Sequence, residues 1–168
     1  LLHAQQSLKI VVENARYQAI DSSTIICSNH HFTPAVFWNV SNLPSLNYSI
    51  ASNSKPNLKV INSSLKKVND ERILSILKQQ PTFNPKTIEL KSLYGGIRRG
   101  GPIHHIYILP FLFVDHQWFY LESAEIKVDY SLENHAVENF VVKTNFHADL
   151  INSHEADRIS QHTAIEQK

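Results

Sequence analysis

Hydrophobic residues recur at helical spacing over the first twenty positions of the chain. One occurs at every third or fourth residue, at Leu1, Ala4, Leu8, Val11 and Ala15. This spacing puts side chains on one face of an α-helix. The pattern therefore predicts a helix from Leu1 to Ile20. The helix has no capping residue at its start, which favours a helix that continues from a preceding segment, such as a membrane anchor, or one cut from a longer helix.

A second helix is predicted from Asp70 to Gln80. Asn69 can cap it, and the acidic residues Asp70 and Glu71 suit the positive amino end of a helix. Pro81 ends it, because proline cannot continue the backbone hydrogen bonds. Both ends of this helix are therefore defined by the sequence.

The rest of the chain is typical of β-structure, with β-branched runs and alternating polar and apolar positions. Strands are predicted at Thr24–Cys27, Ala35–Val40, Tyr48–Ala51, Leu58–Ile61, Thr87–Leu93, Ile103–Val114, Trp118–Leu121, Ile126–Tyr130 and Val137–Phe146. Residues 115–117 form a turn. Ile103–Val114 is apolar on both faces, which predicts a strand covered on both sides.

This order of elements predicts an α+β fold. The N-terminal helix and the second, shorter helix would pack on a mainly antiparallel, curved β-meander. Cystatin-like and NTF2-like folds have a similar order of elements. We expect a single domain over residues 1–151, followed by a weakly structured C-terminal tail over residues 152–168, where apolar residues are sparse.

Composition places the 168-residue chain among globular proteins, with 42% hydrophobic and 18% charged residues. Its one cysteine, Cys27, excludes a disulfide within the chain. This fits a cytosolic protein and also an exported bacterial domain. No sequence pattern indicates a cofactor.

Charge is distributed unevenly along the chain although the net charge is only +1. Residues 55–99 carry ten Lys or Arg against three acids, whereas residues 115–168 carry four against ten acids. The basic and acidic segments could pack near each other, or the basic segment could dock an anionic partner. Nucleic acid is an unlikely partner, because the isoelectric point of about 8.1 is below that of typical nucleic-acid-binding domains.

A glycine-rich segment between two predicted strands, residues 94–102, is the leading candidate for a binding site. It holds all four glycines of the chain around two arginines, as Gly95, Gly96, Arg98, Arg99, Gly100 and Gly101. Backbone amides freed by glycine, together with arginine, can bind a phosphate or carboxylate. We predict that Gly96, Arg98, Arg99 and Gly100 dock a partner or an anion. The alternative is a mobile hairpin tip with two solvated arginines.

Histidine is abundant, with ten residues in the chain. Two adjacent pairs, His30 with His31 and His104 with His105, are the candidates for a pH-responsive site, because histidine titrates near pH 6.5. Metal binding is not predicted: neighbouring strand residues point to opposite faces, and neither HExxH nor CxxC occurs. The histidines could also be ordinary polar residues.

Enzymatic and ligand-binding alternatives rest on few residues. Cys27 with His30 or His31 could form a thiolate nucleophile of a small hydrolase, but a lone cysteine in an apolar strand is more typical of a core. We predict no catalytic residues. The aromatic residues between Tyr107 and Tyr120 are interpreted as core, and a cavity for an apolar small ligand inside the sheet is a further possibility.

A short stretch resembles pseudopilins and minor pilins. Residues 15–20, ARYQAI, running into Ile25–Cys27, are similar to the helix-to-strand entry of those domains. The resemblance covers about 13 residues, and the chain departs from the family in having few glycines and no disulfide partner. It implies a structural subunit of a secretion or pilus machine as one possible role.

Together these observations predict a non-enzymatic binding domain in the bacterial periplasm or cell envelope, anchored to the inner membrane outside this sequence. It would sense a ligand or pH, or assemble with another protein subunit. The contact, homodimeric or heterodimeric, would use the N-terminal helix or residues 94–102. Alternatives are a small Cys/His hydrolase and a nucleic-acid-binding module using residues 55–99.

Overall fold

The computed structural model describes residues 5–98 and 101–132. Its elements are the strands β1 (Gln5–Val12), β2 (Tyr17–Ala19), β3 (Ile25–Cys27), β4 (Thr33–Ala35), β5 (Val40–Ala51), β6 (Asn57–Lys67), β7 (Glu89–Arg98), β8 (Gly101–Leu109), β9 (Phe111–Val114) and β10 (Gln117–Ser131), and the helix α1 (Glu71–Lys78). A 3₁₀ turn, Val36–Trp38, joins β4 to β5.

Two sheets of four strands form a mainly β sandwich. In one sheet β10 lies between β1 and β6 and also pairs with β9; in the other the order is β4-β5-β8-β7. All of these pairings are antiparallel. Apolar residues of the two sheets meet in one buried cluster, where Ile126 and Val128 of β10 join Ile106 and Ile108 of β8. The predicted α+β meander with two packed helices is therefore wrong.

The predicted N-terminal helix is wrong in the residues that the structure describes, because β1 and β2 lie there. Ile10 and Val12 are buried, whereas Val11 between them is 47% exposed. This alternation has a period of two, and β1 pairs with β10 along its whole length. The helical interpretation relied on Val11 and Ala15, which share the helical spacing by coincidence. The pilin-like stretch also departs from its expected form, since Tyr17–Ala19 is a strand paired with β3.

Two further predicted strands differ from those in the structure. The long strand predicted over Ile103–Val114 is divided into β8 and β9 at Pro110, which has no amide hydrogen to continue a ladder. The carbonyl of Pro110 instead accepts a hydrogen bond from the amide of Leu121. The strand predicted over Ala35–Val40 is mostly the 3₁₀ turn, which ends at Asn39 with a left-handed φ of 55°.

The second predicted helix is confirmed as α1. The turn predicted over residues 115–117 is one residue shorter, since Gln117 of β10 already pairs with Val114. Asp70 caps the helix, and its carboxylate accepts hydrogen bonds from the amides of Arg72 and Ile73; the expected cap was Asn69. Ile73, Ile76 and Leu77 bury one face of α1 in a second cluster with residues of β3, β5 and β9.

Predictions for the C-terminal part lie outside the described residues, namely the strand at Val137–Phe146 and the tail over residues 152–168. Within the described ranges, no helix is long and apolar enough to cross a membrane.

Candidate functional site

The outer surface of the second sheet carries an aromatic face, which we define by Phe37, Trp38, Lys91, His105 and Tyr107. His105 and Tyr107 lie on β8, and their cross-strand neighbours on β7 are Leu93 and Lys91. The rings of Phe37 and Tyr107 lie 4.9 Å apart, and the ammonium of Lys91 lies 5.6 Å from the ring of Trp38. The residues between them on β8 point into the core, so this face is turned away from the sandwich interior.

His105 is held firmly in this aromatic face. Its Nδ1 lies 2.8 Å from the hydroxyl of Ser49 on β5. Gly95 lies over the ring, and a Cβ at that position would stand 2.5 Å from Nε2 of His105. The first glycine of the glycine-rich segment is thus required by packing against an imidazole.

Replacing Gly95 by alanine tests this packing. Gly95→Ala should lower the free energy of unfolding by about 1–3 kcal/mol, the usual cost of overpacking. In a His105→Ala background the same change should cost much less, because the new methyl group then has room. Urea denaturation of the two single variants and the double variant measures this coupling. If Gly95→Ala lowers the free energy of unfolding equally in the wild type and in the His105→Ala variant, the imidazole ring does not restrict the residue at position 95.

Strand β7 forms an edge of its sheet and exposes three large apolar side chains. Within the described ranges it pairs with β8 alone. Leu93, Tyr94 and Ile97 are 45%, 55% and 67% exposed. Such an edge offers unpaired backbone groups to another strand, and natural proteins usually protect it.

The glycine pair shapes this edge. The register between β7 and β8 shifts between Tyr94 and Ile97, and Gly96 has a φ of +88°, which side chains other than glycine rarely adopt. Gly95 and Gly96 therefore belong to a bulged strand, while the sequence predicted a loop there. Arg98 ends β7 as an exposed residue paired with Gly101. The predicted site residues Arg99 and Gly100 lie outside the described residues.

His104 is buried beside this edge. It is 6% exposed, and its Nδ1 has no hydrogen-bond partner among the described residues. The ring of Tyr94 packs edge-on against it at 5.6 Å between centroids. Burial lowers the pKa of His104 below its usual value; a hydrogen bond to the backbone of Ser52 opposes this effect, and the neighbouring His105 adds to it.

The other histidine pair lies on a different part of the molecule. Nδ1 of His30 is 3.4 Å from Sγ of Cys27, and its Nε2 is 3.4 Å from the hydroxyl of Tyr48. Burial raises the pKa of the Cys27 thiol and lowers the pKa of His30. Both shifts favour the neutral forms of the pair, which opposes a thiolate nucleophile. His31 is exposed and takes no part in these contacts.

The four predicted histidines thus do not form one site. His104 and His105 point to opposite faces of β8, as expected for strand neighbours. In the described part of the chain, no group of three or more His, Cys, Asp or Glu side chains could hold a metal.

Sequence reasoning missed the three exposed apolar residues of β7 and assigned Tyr107 to the core. Sequence alone does not show which strand lies at an edge, because that depends on pairing between distant segments.

Comparisons with known proteins add little. No family model matches the chain, and no curated protein matches it. Among solved structures, a chain in the complex of Porphyromonas gingivalis RgpB pro- and mature domains superposes with a TM-score of 0.49 and 13% identity, over 91% of this chain and 95% of that one. At this level of similarity we draw no functional conclusion.

Proposed function

We propose that this chain is a non-enzymatic binding domain that assembles with a partner protein through strand β7. The observation that carries this proposal is the exposed edge with Leu93, Tyr94 and Ile97 on one strand. An extended segment of the partner would add to the sheet beside β7. Main-chain hydrogen bonds would provide affinity, and the exposed apolar side chains would provide specificity.

Charge favours an acidic partner segment. Lys91 and Arg98 are exposed on β7, and Arg99 follows directly in sequence. Glu89, the acidic residue of this strand, accepts a hydrogen bond from Nε1 of Trp38. A partner strand that alternates acidic and apolar side chains can place the acidic ones on the outer face of the sheet, beside Lys91, and the apolar ones on the opposite face, beside Tyr94.

The shape of the edge also suits docking. The bulge at Gly95 and Gly96 interrupts the regular ladder before Ile97 and Arg98. A strand approaching from the side would therefore pair with the first part of β7 and meet Ile97 and Arg98 beyond the bulge. Aromatic and arginine side chains of this kind often dominate the affinity of protein interfaces.

A Cys/His hydrolase is less well supported than a binding domain. Cys27 is 2% exposed and its pKa is raised by burial, which keeps the thiol protonated and away from a substrate. Nothing in the geometry of β7 favours nucleic acid over an acidic protein segment. The pH response predicted for the histidines would then modulate the stability of this domain.

For location we retain the proposal of a bacterial envelope domain anchored to the inner membrane. The buried position of Cys27 is compatible with an oxidising compartment, because a buried thiol is protected from forming mixed disulfides.

The binding proposal predicts where an acidic strand binds. A soluble decapeptide of alternating valine and glutamate, added to isotopically labelled protein, should shift the backbone amide resonances of β7 in NMR spectra. Leu93→Asp and Ile97→Asp should each weaken this binding by about tenfold or more, equivalent to about 1.4 kcal/mol. Their melting temperatures should stay close to that of the wild type, because both side chains are exposed.

Matched controls separate strand pairing from simple charge attraction. Val11→Asp introduces the same charge at a residue of similar exposure on β1, in the other sheet, and should leave binding unchanged. The same peptide with alternate N-methylated residues should not bind, since it cannot complete the ladder. Equal binding of the methylated peptide, or shifts centred on β1, would contradict docking at β7.

A further inference from the structure

A second candidate site lies between α1 and the β9–β10 hairpin, and no residue of β7 lines it. It is an open cleft of about 430 Å³. This volume lies within the range of small-molecule sites. One wall comes from Leu74, Leu77 and Lys78 of α1, and the opposite wall from residues around the turn at His116.

The floor of the cleft is aromatic and rigid. Phe83 and Trp118 stack with their ring centroids 5.9 Å apart and their planes 14° apart. Phe113 packs against Trp118 at 4.9 Å. The ammonium of Lys86 lies 5.1 Å from the centre of the Phe113 ring and donates a hydrogen bond to the Phe113 carbonyl. An apolar body entering this cleft would therefore meet side chains that are already in place.

The rim of the cleft is basic. Lys67 from the end of β6, Lys78 from the last turn of α1 and His116 from the hairpin turn all line it. Among the described residues that line the cleft, none is acidic. Lys78 also offsets the partial negative charge at the carboxyl end of α1.

The hairpin turn fixes the position of His116. Asp115 and His116 have φ values of 50° and 61°, the left-handed pair of a type I′ turn between Val114 and Gln117. This turn matches the twist of the flanking strands and holds His116 and Gln117 at the mouth of the cleft.

From this arrangement we propose that the cleft binds a small amphipathic carboxylate, with its apolar body on Phe83 and Trp118 and its carboxylate at the lysines of the rim. An apolar floor fits the body, and two cations without an acidic neighbour on the lining fit one anionic head group. The site is independent of docking at β7.

Trp118 provides a direct reporter, since the chain has only two tryptophans. In a Trp38→Phe variant, titration with sodium decanoate below its micelle concentration should change the fluorescence of Trp118 and reach saturation. Decan-1-ol, which has the same chain without the charge, should bind at least tenfold more weakly. Ligand-observed NMR on the wild type provides the same comparison if Trp38→Phe is unstable.

Charge reversal tests the rim. Lys67→Glu with Lys78→Glu should weaken decanoate binding at least tenfold while the protein stays folded, because both lysines are exposed. The melting temperature should fall slightly, since Lys78→Glu places a negative charge at the carboxyl end of α1. The control pair, Lys55→Glu with Lys59→Glu, makes the same change in net charge away from the cleft and should bind as the wild type does. Equal affinity for decanoate and decan-1-ol, no saturable binding, or equal effects of the two charge reversals would overturn the proposal.

Discussion

Ile10→Ala should lower the free energy of unfolding by about 2–5 kcal/mol. Ile10 is 3% exposed in the cluster between the two sheets, and truncation leaves a cavity next to Ile126, its neighbour on β10. A loss of this size is a large part of the stability of a typical domain, which is about 5–15 kcal/mol. Urea denaturation followed by circular dichroism measures it.

The neighbouring residue provides the matched control. Val11→Ala should cost less than about 1 kcal/mol, since Val11 is 47% exposed on the outer side of β1. A helix over residues 1–20 would reverse this order, because Val11 would then lie on its apolar face. The two variants together therefore decide whether this segment is a strand. A larger loss for Val11→Ala would refute the described register.

Lowering the pH from 7.5 to 5.5 should destabilise the protein. Burial lowers the pKa of His104 and of His30 in the folded state, so the unfolded chain binds more protons in this range. The two neutral histidines leave the free energy of unfolding at its full value above the unfolded pKa of about 6.5. This free energy decreases as the pH falls through that value. The ring of Tyr94 on β7 packs against His104, and the backbone of Ser52 shares a hydrogen bond with it that opposes the effect of burial in part. Neither of these groups nor the adjacent His105 supplies a negative charge to offset protonation.

Two variants identify which histidine causes the loss of stability at low pH. His104→Asn should reduce the pH dependence of the free energy of unfolding, whereas a residual part from His30 should remain. His31→Asn is the matched control at an exposed position and should leave the dependence unchanged. A wild type equally stable at pH 7.5 and 5.5 would disprove a role for buried histidine in the stability of this domain.

Local signals made α1 and the β9–β10 hairpin predictable from sequence. The helix has an acidic start and a proline after its end, and these act within a few residues. The alternation of Ile126, Val128 and Tyr130 likewise marked a half-buried strand, which is confirmed in β10. Each of these features depends on neighbours in sequence.

Other elements depended on distant partners. Residues 5–12 fit both a helical and a strand pattern, and pairing with β10 decides between them. The sequence predicted two separate strands within β10. Pairing with β6 joins them into one strand, with register shifts near Leu121 and Glu125. The order of elements alone therefore fitted both a meander and the observed sandwich. In the sandwich, β1 and β6 lie on either side of β10, which comes much later in the chain.

The candidate site was partly accessible to sequence reasoning. Arg98 and Gly96 were selected as part of one glycine-rich segment, but its interpretation as a loop missed that both residues lie in a strand. His105 was assigned a pH role, whereas the structure places it under Gly95 with Ser49 as its partner. Close approach of a ring to a backbone is invisible in sequence because it joins positions on different strands.

The pairing of β1 with β10 has a consequence for how the chain folds during its synthesis. Gln5 lies opposite Ser131, so β1, which leaves the ribosome before the other described strands, has its partner among the last described residues. Until residue 131 has emerged, β1 cannot complete its backbone hydrogen bonds with β10. Pairing across so long a separation makes folding slow, and the waiting strand is open to misassembly. A chaperone that protects this unpaired strand on the nascent chain would therefore act on the eight residues Gln5–Val12.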